Sequence, residues 1–270
     1  MNRPAGVFDW RQALQAQARQ PPLRARVPLW SGQAVIGSVE DDFAARVGEL
    51  SSGAAGAVLR RSKQQGMAGW EVLGDVTASL AVIAVAMRDA GLAGAWRDEQ
   101  LAVTTPAGVR LGTVERAAVR PLGITTCAVH LIGTAVDGRH WVQQRSLTKP
   151  NDPGLWDTLV GGMVPAADSL EDALARETWE EAGLRLSQMQ ALSYGGRVGT
   201  QRPARDGQGS GYVDELIDWF RCVVPPGVEP CNQDGEVSQF ALLTGEDLVR
   251  RLADGEFTHE AGLVFCAGGV

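Results

Sequence analysis

The chain contains no Cys-x-x-Cys pair, and its three histidines do not cluster with its cysteines. The four cysteines, Cys127, Cys222, Cys231 and Cys266, are scattered along the sequence. That spacing argues against a zinc site and against a disulfide framework. Long hydrophobic runs are also missing. The greasiest stretch, Ala78 to Met87, is about half of the ~20 residues a membrane span needs. The first twenty residues hold no apolar signal-peptide core. Nor is there an excess of positive charge: 25 Lys and Arg stand against 32 Asp and Glu, a net charge of −7. A nucleic-acid polymer or an anionic membrane would find no general positive field to bind. Scattered thiols without a leader or a span indicate a cytoplasmic protein.

What remains is an ordinary globular composition, 44% hydrophobic and 21% charged. Apolar content this high excludes disorder as the main state. A chain of 270 residues accommodates one large or two modest domains. Asp9 to Arg19 reads as a short helix ended by Gln20-Pro21-Pro22, and Pro28 to Val39 as a hairpin. Val39 to Val47 reads as an amphipathic helix stopped by Gly48, and Asp75 to Ala90 as a largely buried helix stopped by Gly91. Strands fit Leu101 to Val103 and Val109 to Val114. Pro121 and Gly123 punctuate Arg116 to Gly123, dividing the chain into an N-terminal α+β accessory domain (1–118) and a second domain (119–270).

The second domain has strand patterns at Ile124 to Ala135, Trp141 to Arg145 and Trp156 to Val160. A helix over Leu170 to Ala182 follows, then strands at Gly195 to Thr200, Val213 to Val224 and Val237 to Leu243, and a helix over Glu246 to Ala253. Strands and helices in this alternation imply a layered α/β fold.

The chemistry concentrates in Gly161 to Leu184. Ser169 with Asp172 three positions on makes a capping-box start, and Gly183 makes a C-terminal stop. At ~100° per residue, Glu177, Glu180 and Glu181 share about a third of the helix circumference. Leu174, Ala175, Thr178, Trp179 and Ala182 gather on another face and are expected to pack. Clustered carboxylates repel one another, and burying them raises their pKa values. A cation among them turns the arrangement favourable, and hard divalent ions such as Mg²⁺ or Mn²⁺ prefer oxygen ligands of this kind. Arg176 can brace a carboxylate through a bidentate pair. The Gly161-Gly162 pair allows the backbone to approach the helix closely and can turn a carbonyl toward a metal.

An acidic helix face alone is usually just a solvated surface. Here the glutamates come with Arg176, with Gly183, and with a glycine fourteen positions before the arginine. The stretch satisfies most of G-x5-E-x7-R-E-U-x-E-E-x-G-U and so resembles the signature of the Nudix hydrolases. It departs from that signature at Asp168, where the first acid is Glu, and at Thr178, where an apolar residue is usual. The resemblance implies an α/β/α sandwich with a mixed sheet. It implies metal binding by Glu177, Glu180 and Glu181, a bracing role for Asp168, and an orienting role for Arg176. Catalysis would then rest on Glu177, Glu180 and Arg176, with Gly161 at the metal and Gly162, Asp168 and Gly183 shaping the motif.

Beyond the motif, ERAAVRPLGITTCAVHL, WVQQRSLTKPNDPGLWDTLVGGM and PCNQDGEVSQFALL resemble a Nudix branch that carries an N-terminal accessory domain. That branch includes the Nudix portion of some fungal thiamin pyrophosphokinases, and it implies thiamin diphosphate or its oxidised analogues as substrate. General nucleotide substrates, ADP-ribose and nucleoside triphosphates among them, remain open. Arg145 and Lys149 are candidates to neutralise a diphosphate. Glu236 is a candidate auxiliary acid and Glu215 a weaker one. His130 and His140 read as core or surface residues, and Trp96, Trp141 or Trp156 as candidates to stack a flat ring. Isopentenyl diphosphate isomerase shares the fold and a similar R-S-x-x-K stretch, but the cysteine its chemistry uses is absent from WDTLVGG. A Nudix-fold sensor that binds a diphosphate without cleaving it is the non-enzymatic alternative. The expected partner is a small diphosphate; the accessory domain can wall the pocket or form a homodimer.

Overall fold

The computed structural model describes residues 10–53, 56–204 and 211–270; Asp9, the expected start of the first helix, lies outside them. The accessory region begins with helix α1 (Trp10–Ala18), the hairpin β1 (Arg26–Ser31) and β2 (Ala34–Glu40), and helix α2 (Asp41–Leu50). A second hairpin, β3 (Leu59–Gln64) and β4 (Met67–Val72), leads to helix α3 (Val76–Asp89) and the ribbon β5 (Gln100–Thr104) and β6 (Arg110–Glu115). The four-stranded sheet runs β2-β1-β4-β3, with β1 and β4 parallel. Asp75 caps α3 by accepting the Ala78 amide at 2.9 Å. Leu80, Ile83, Ala84 and Met87 then fill the core against Leu29, Val39, Val72, Val103 and Val114, as the apolar character of this helix predicts.

Two expectations for this region fall short. Helix α2 does not stop at Gly48 but runs through it to Leu50. Gly48 is buried against Trp70 and Leu59, and a Cβ there would meet the Trp70 ring at an ordinary packing distance of 3.5 Å, so the glycine does not interrupt the helix. The hairpin of β3 and β4 was not expected at all: its outer strand, LRRSKQ, is mostly polar and solvent-facing, so it carries little of the apolar alternation that marks a strand.

The second lobe contains β7 (Thr126–Ala135), β8 (His140–Arg145), β9 (Trp156–Asp157), β10 (Val160–Met163), helix α4 (Leu170–Ala182), β11 (Gln190–Pro203), β12 (Tyr212–Val224), β13 (Val237–Leu243), α5 (Gly245–Ala253) and α6 (His259–Ala267). The sheet runs β11-β12-β7-β8-β13, with β10 paired to β7 and β9 to β8. It is mixed, since β12 and β7 are parallel and the other pairs antiparallel. The expected single strand from Trp156 to Val160 is thus two pieces on different partners. Period-two alternation divides the core. Val129, Leu131, Phe220 and Cys222 face α4 with Ala173, Leu174 and Ala182. Ala128, Ile132, Ile217 and Trp219 face α5 and α6 with Leu248, Val264 and Phe265. Helix α6 escaped sequence reading because it is apolar nearly all round, so no polar stripe marks its period.

Helix α1 departs from its place in the sequence. Trp10 joins the core of the second lobe, and α1 packs on α6 and β11. The accessory region also grips the loop that leads into α4. The Ala166 amide donates to the Gln100 carbonyl at 2.7 Å, and Arg110 donates to the Ala166 carbonyl at 2.6 Å. Met163 packs onto the accessory core.

On α4 the packed face is Ala173, Leu174, Thr178 and Ala182. Ala175 and Trp179, expected to pack, are exposed instead, and Arg185 lies over the Trp179 ring at 5.1 Å. Glu181 takes the inward position in their stead. Leu174→Ala is therefore expected to cost about 2–5 kcal/mol in urea unfolding, and Trp179→Ala less than about 1 kcal/mol. The reverse order would show that the helix is rotated from the orientation described.

Candidate functional site

Helix α4 starts in a capping box, with the Ser169 side chain on the Asp172 amide and Asp172 returning to the Ser169 backbone. It ends at Gly183 in the left-handed region, φ +63, where any side chain is strained. The Gly183 amide donates to Trp179 and that of Leu184 to Thr178. The amides of Cys231 and Gln233 donate to the carbonyls of Ala182 and Glu180, at 2.7 and 3.1 Å. Both helix ends are thus satisfied, and the last turn, which carries Glu180 and Glu181, is fixed.

One guanidinium organises the acids. Arg176 donates from Nε to Asp168 at 3.0 Å, from Nη1 to Glu177 and to Glu180 at 2.9 Å each, and from Nη2 to the Met163 carbonyl at 3.3 Å. Asp168, one methylene shorter than the motif acid, still reaches the arginine. Gly162 lies directly against Glu177: a Cβ there would fall on the Glu177 carboxylate. The motif needs glycine at this position because the carboxylate occupies the space of a side chain.

Glu181 is set differently. Its side chain is 1% exposed and accepts from the Gln143 amide at 2.8 Å, the Gly161 amide at 3.0 Å and the Lys149 ammonium at 3.3 Å. Lys149 also pairs with Glu236 at 2.5 Å. Burial pushes the Glu181 carboxyl up, against the pull of Lys149, Gly161 and Gln143. Burial also pushes Glu177 up to about 7, with the Glu181 charge adding to it and Arg176 opposing. Burial alone would raise Glu236, but the Lys149 ammonium, with Arg97 and Arg116 behind it, holds that carboxyl below its usual range.

The structure therefore brings together Gly161, Gly162, Asp168, Arg176, Glu177, Glu180, Glu181, Lys149 and Glu236. Arg145 stands apart. Its guanidinium is occupied by the Asn151 carbonyl at 2.9 Å and lies 3.7 Å from Asp157. Glu215 lies on the opposite face of the sheet. Burial pushes its carboxyl up to about 7, with Glu260 adding and Arg120, Arg202 and Arg116 opposing. His130 is a core residue bonded to Thr158 at 2.9 Å. Trp156 is buried beneath Arg251, and Trp96 lies under Arg88. Gln143 was missed in the sequence. A polar side chain at a strand position that turns out fully buried is visible only once the strand's inward face is known.

Among the described residues, no three His, Cys, Asp or Glu side chains converge as a ready metal cage. Glu177 and Glu180 turn onto Arg176, and Glu181 turns onto Lys149. The donor set nevertheless suits a hard divalent cation. It offers three carboxylates on two turns, two of them raised by burial, and Gln143 Oε1 beside them is buried without a hydrogen-bond partner. A cation would relieve the repulsion that raises Glu177.

Residues 125–262, a little over half of the chain, match the NUDIX domain, and the chain belongs to that family. Members generally use divalent metals. Nudix hydrolase 24, chloroplastic, of Arabidopsis thaliana is 31% identical over 140 residues, covering 48% of this chain and 36% of its own length. The isopentenyl-diphosphate Delta-isomerase of Streptomyces avermitilis is 31% identical over 153 residues, covering 56% of this chain and 74% of its own length. The chain spans about a third to a half of the length of the curated Nudix relatives it matches. The crystal structure of DR0079 from Deinococcus radiodurans superposes with a TM-score of 0.50 at 21% identity, covering 63% of this chain and 99% of that one. That likeness establishes the expected fold. No helix of the described residues is long and apolar enough to cross a membrane.

Glu177 gives a pH test. Its folded pKa of about 7 lies above the ordinary 4.5. Below about pH 4.5 it is protonated in both states and costs nothing. As pH rises toward 7, the unfolded chain ionises first and stability is lost, by an amount on the order of 1–3 kcal/mol. Glu177→Gln is expected to melt higher than the wild type at pH 8 without metal, and to match it near pH 4.5. Equal melting temperatures at pH 8 would contradict the burial and repulsion described.

Proposed function

We propose that this protein hydrolyses a phosphoanhydride in a small organic diphosphate, with Mg²⁺ or Mn²⁺ held at Glu177, Glu180 and Glu181. The observation that carries this reading is the carboxylate face of α4, with Glu181 buried, Glu177 largely so and Glu180 at its open edge, braced by Arg176 and set in the Nudix motif. A bound divalent ion supplies Lewis-acid polarisation of the phosphoryl oxygens and acidification of water. This chain's own groups do the rest. Lys149 places a positive charge beside Glu181 where the diphosphate charge must be met. Arg176 orients Glu177 and Glu180. Water oxygen attacks one phosphorus, the bridging P–O bond breaks toward the departing phosphate, and a carboxylate of the face takes the water's proton. Glu236, paired with Lys149, sets the position of that ammonium and is the candidate auxiliary acid.

For the organic moiety, thiamin diphosphate or its oxidised analogues is the finer reading, supported by the sequence resemblance in the segments around the motif. ADP-ribose and nucleoside triphosphates are the alternatives. The four free thiols suit a reducing compartment, and we assign the protein to the cytoplasm; two of the plant relatives are chloroplastic.

Release of phosphate or monophosphate from thiamin diphosphate, its oxidised analogues, ADP-ribose and nucleoside triphosphates, with Mg²⁺ or Mn²⁺, tests the proposal. Glu180→Gln is expected to lower kcat by about 10²-fold or more, on the scale of losing a key charge stabiliser. Full turnover in that variant would refute the metal assignment.

A second reading follows from the isomerase relative. Isopentenyl diphosphate would then yield its allylic isomer without phosphate release. The segment from Trp156 to Gly162 holds no thiol, and the Cys127 thiol on β7 is pushed up by burial, which leaves it a poor nucleophile. We therefore expect no isomerisation.

A further inference from the structure

A cavity of about 270 Å³ lies between the accessory region and the second lobe. The accessory region contributes Leu92 to Ala95, Arg97, Arg116 and Ala117 to it, the segment that follows contributes Val119 to Pro121, and the second lobe contributes Pro150, Asn151, Met163 and Gly211. Three of its lining residues, Arg97, Arg116 and Arg120, are cationic, and no Asp or Glu lines it among the described residues. In a chain whose net charge is −7, a cavity lined by arginine and no acid is a local reversal of sign. It concentrates anions there.

The cavity adjoins the carboxylate face. Met163 follows Gly162 and gives its carbonyl to Arg176, and Pro150 follows Lys149, whose ammonium touches Glu181. Arg97 is exposed, and its guanidinium makes no hydrogen bond or ion pair with any described residue. Arg116 pairs with Glu99 at 2.6 Å, a contact that fixes its direction. The rest of the lining, including Leu92, Val119 and Pro121, is largely apolar, which strengthens each charge interaction made against it.

We propose that this cleft is an anion subsite of the same active site, in which Arg97 and Arg116 of the accessory region, with Arg120 of the segment that follows it, hold a phosphate group of the substrate while its anhydride lies on the glutamate face. The proposal rests on the diphosphate-hydrolase reading above and adds to it. The substrate carries negative charge that the Nudix lobe alone does not neutralise, and the accessory region is part of the binding site. The volume falls below the ~300–1,000 Å³ of pockets that engulf a whole ligand, as suits one end of a molecule.

The test uses the full chain in EDTA, so that no metal binds, with inorganic pyrophosphate titrated by calorimetry. Wild type is expected to bind, more weakly as salt is raised. Arg97→Glu and Arg120→Glu should each weaken binding about tenfold or more, the scale of losing one charged hydrogen bond. Arg60→Ala, on the far accessory sheet, should leave it unchanged. Arg97→Glu is expected to melt within a few degrees of wild type, because its guanidinium makes no described hydrogen bond or ion pair and acts on Glu236 only through space. Absence of pyrophosphate binding, or equal binding by Arg97→Glu, overturns the subsite. In turnover, Arg97→Ala should raise KM about tenfold with kcat nearly constant; a fall in kcat at constant KM also overturns it. Failure of the hydrolase reading is distinguishable: turnover would be absent from every substrate while the metal-free titration still discriminated Arg97→Glu from wild type.

Discussion

Negative charge taken out of water has to be met by something, and the structure meets it on α4 with two cations of different kinds. Arg176 spans Asp168, Glu177, Glu180 and a backbone carbonyl with one planar fork. Lys149 serves Glu181 and Glu236 as a point charge. Arginine cannot give up its proton in this setting, so the first group stays locked. Lysine's ammonium is a compact charge on a flexible stem, so the second pairing is less rigidly set than the first. The residual imbalance shows in Glu177, whose carboxyl is raised despite its arginine.

This constraint reaches past the helix. Gly162 leaves room for Glu177 only because β10 runs close to α4, and β10 is held there through its pairing with β7 from Met163↔Ala128 to Val160↔Leu131. The loop after β10 is in turn tied to β5 and Arg110 of the accessory region. Movement of the accessory region would therefore shift Met163, the carbonyl that steadies Arg176, and with it both carboxylates. The two parts of the chain are mechanically joined at the motif itself.

Much of this was legible in the residues. Helix α4 was bounded correctly at both ends because its signals are local: a capping box, a left-handed glycine and a 3.6-residue period. The long strands β7 and β12 announced themselves through apolar runs. What escaped depended on neighbours. LRRSKQ is a strand only because β4 lies beside it. Ala175 and Trp179 lie on the side of the helix opposite Glu181, and their outward orientation is decided by Gln143, Gly161 and Lys149 reaching Glu181 from other elements. Arg145 looked like a substrate ligand by sequence proximity to Lys149, yet three residues of intervening loop, Ser146, Leu147 and Thr148, separate the two positions. Asn151 closes that loop back onto the arginine.

The position of the acids along α4 adds a last constraint. Glu180 and Glu181 occupy the final turn, where the helix dipole already places partial negative charge. Carboxylates there are less favourable than the same carboxylates in the first turn, by about 0.3–1 kcal/mol each. The chain offsets this with backbone donors: the amides of Cys231 and Gln233 satisfy the terminal carbonyls that would otherwise add to the repulsion. Gly183 makes that approach possible, because a Cβ at its position would meet the Cys231 carbonyl at 2.6 Å. The glycine that ends the motif thus does two jobs. It turns the backbone left-handed, and it admits the loop whose amides quiet the C-terminal dipole, so that the negative charge left at this helix end is that of the Glu180 and Glu181 side chains.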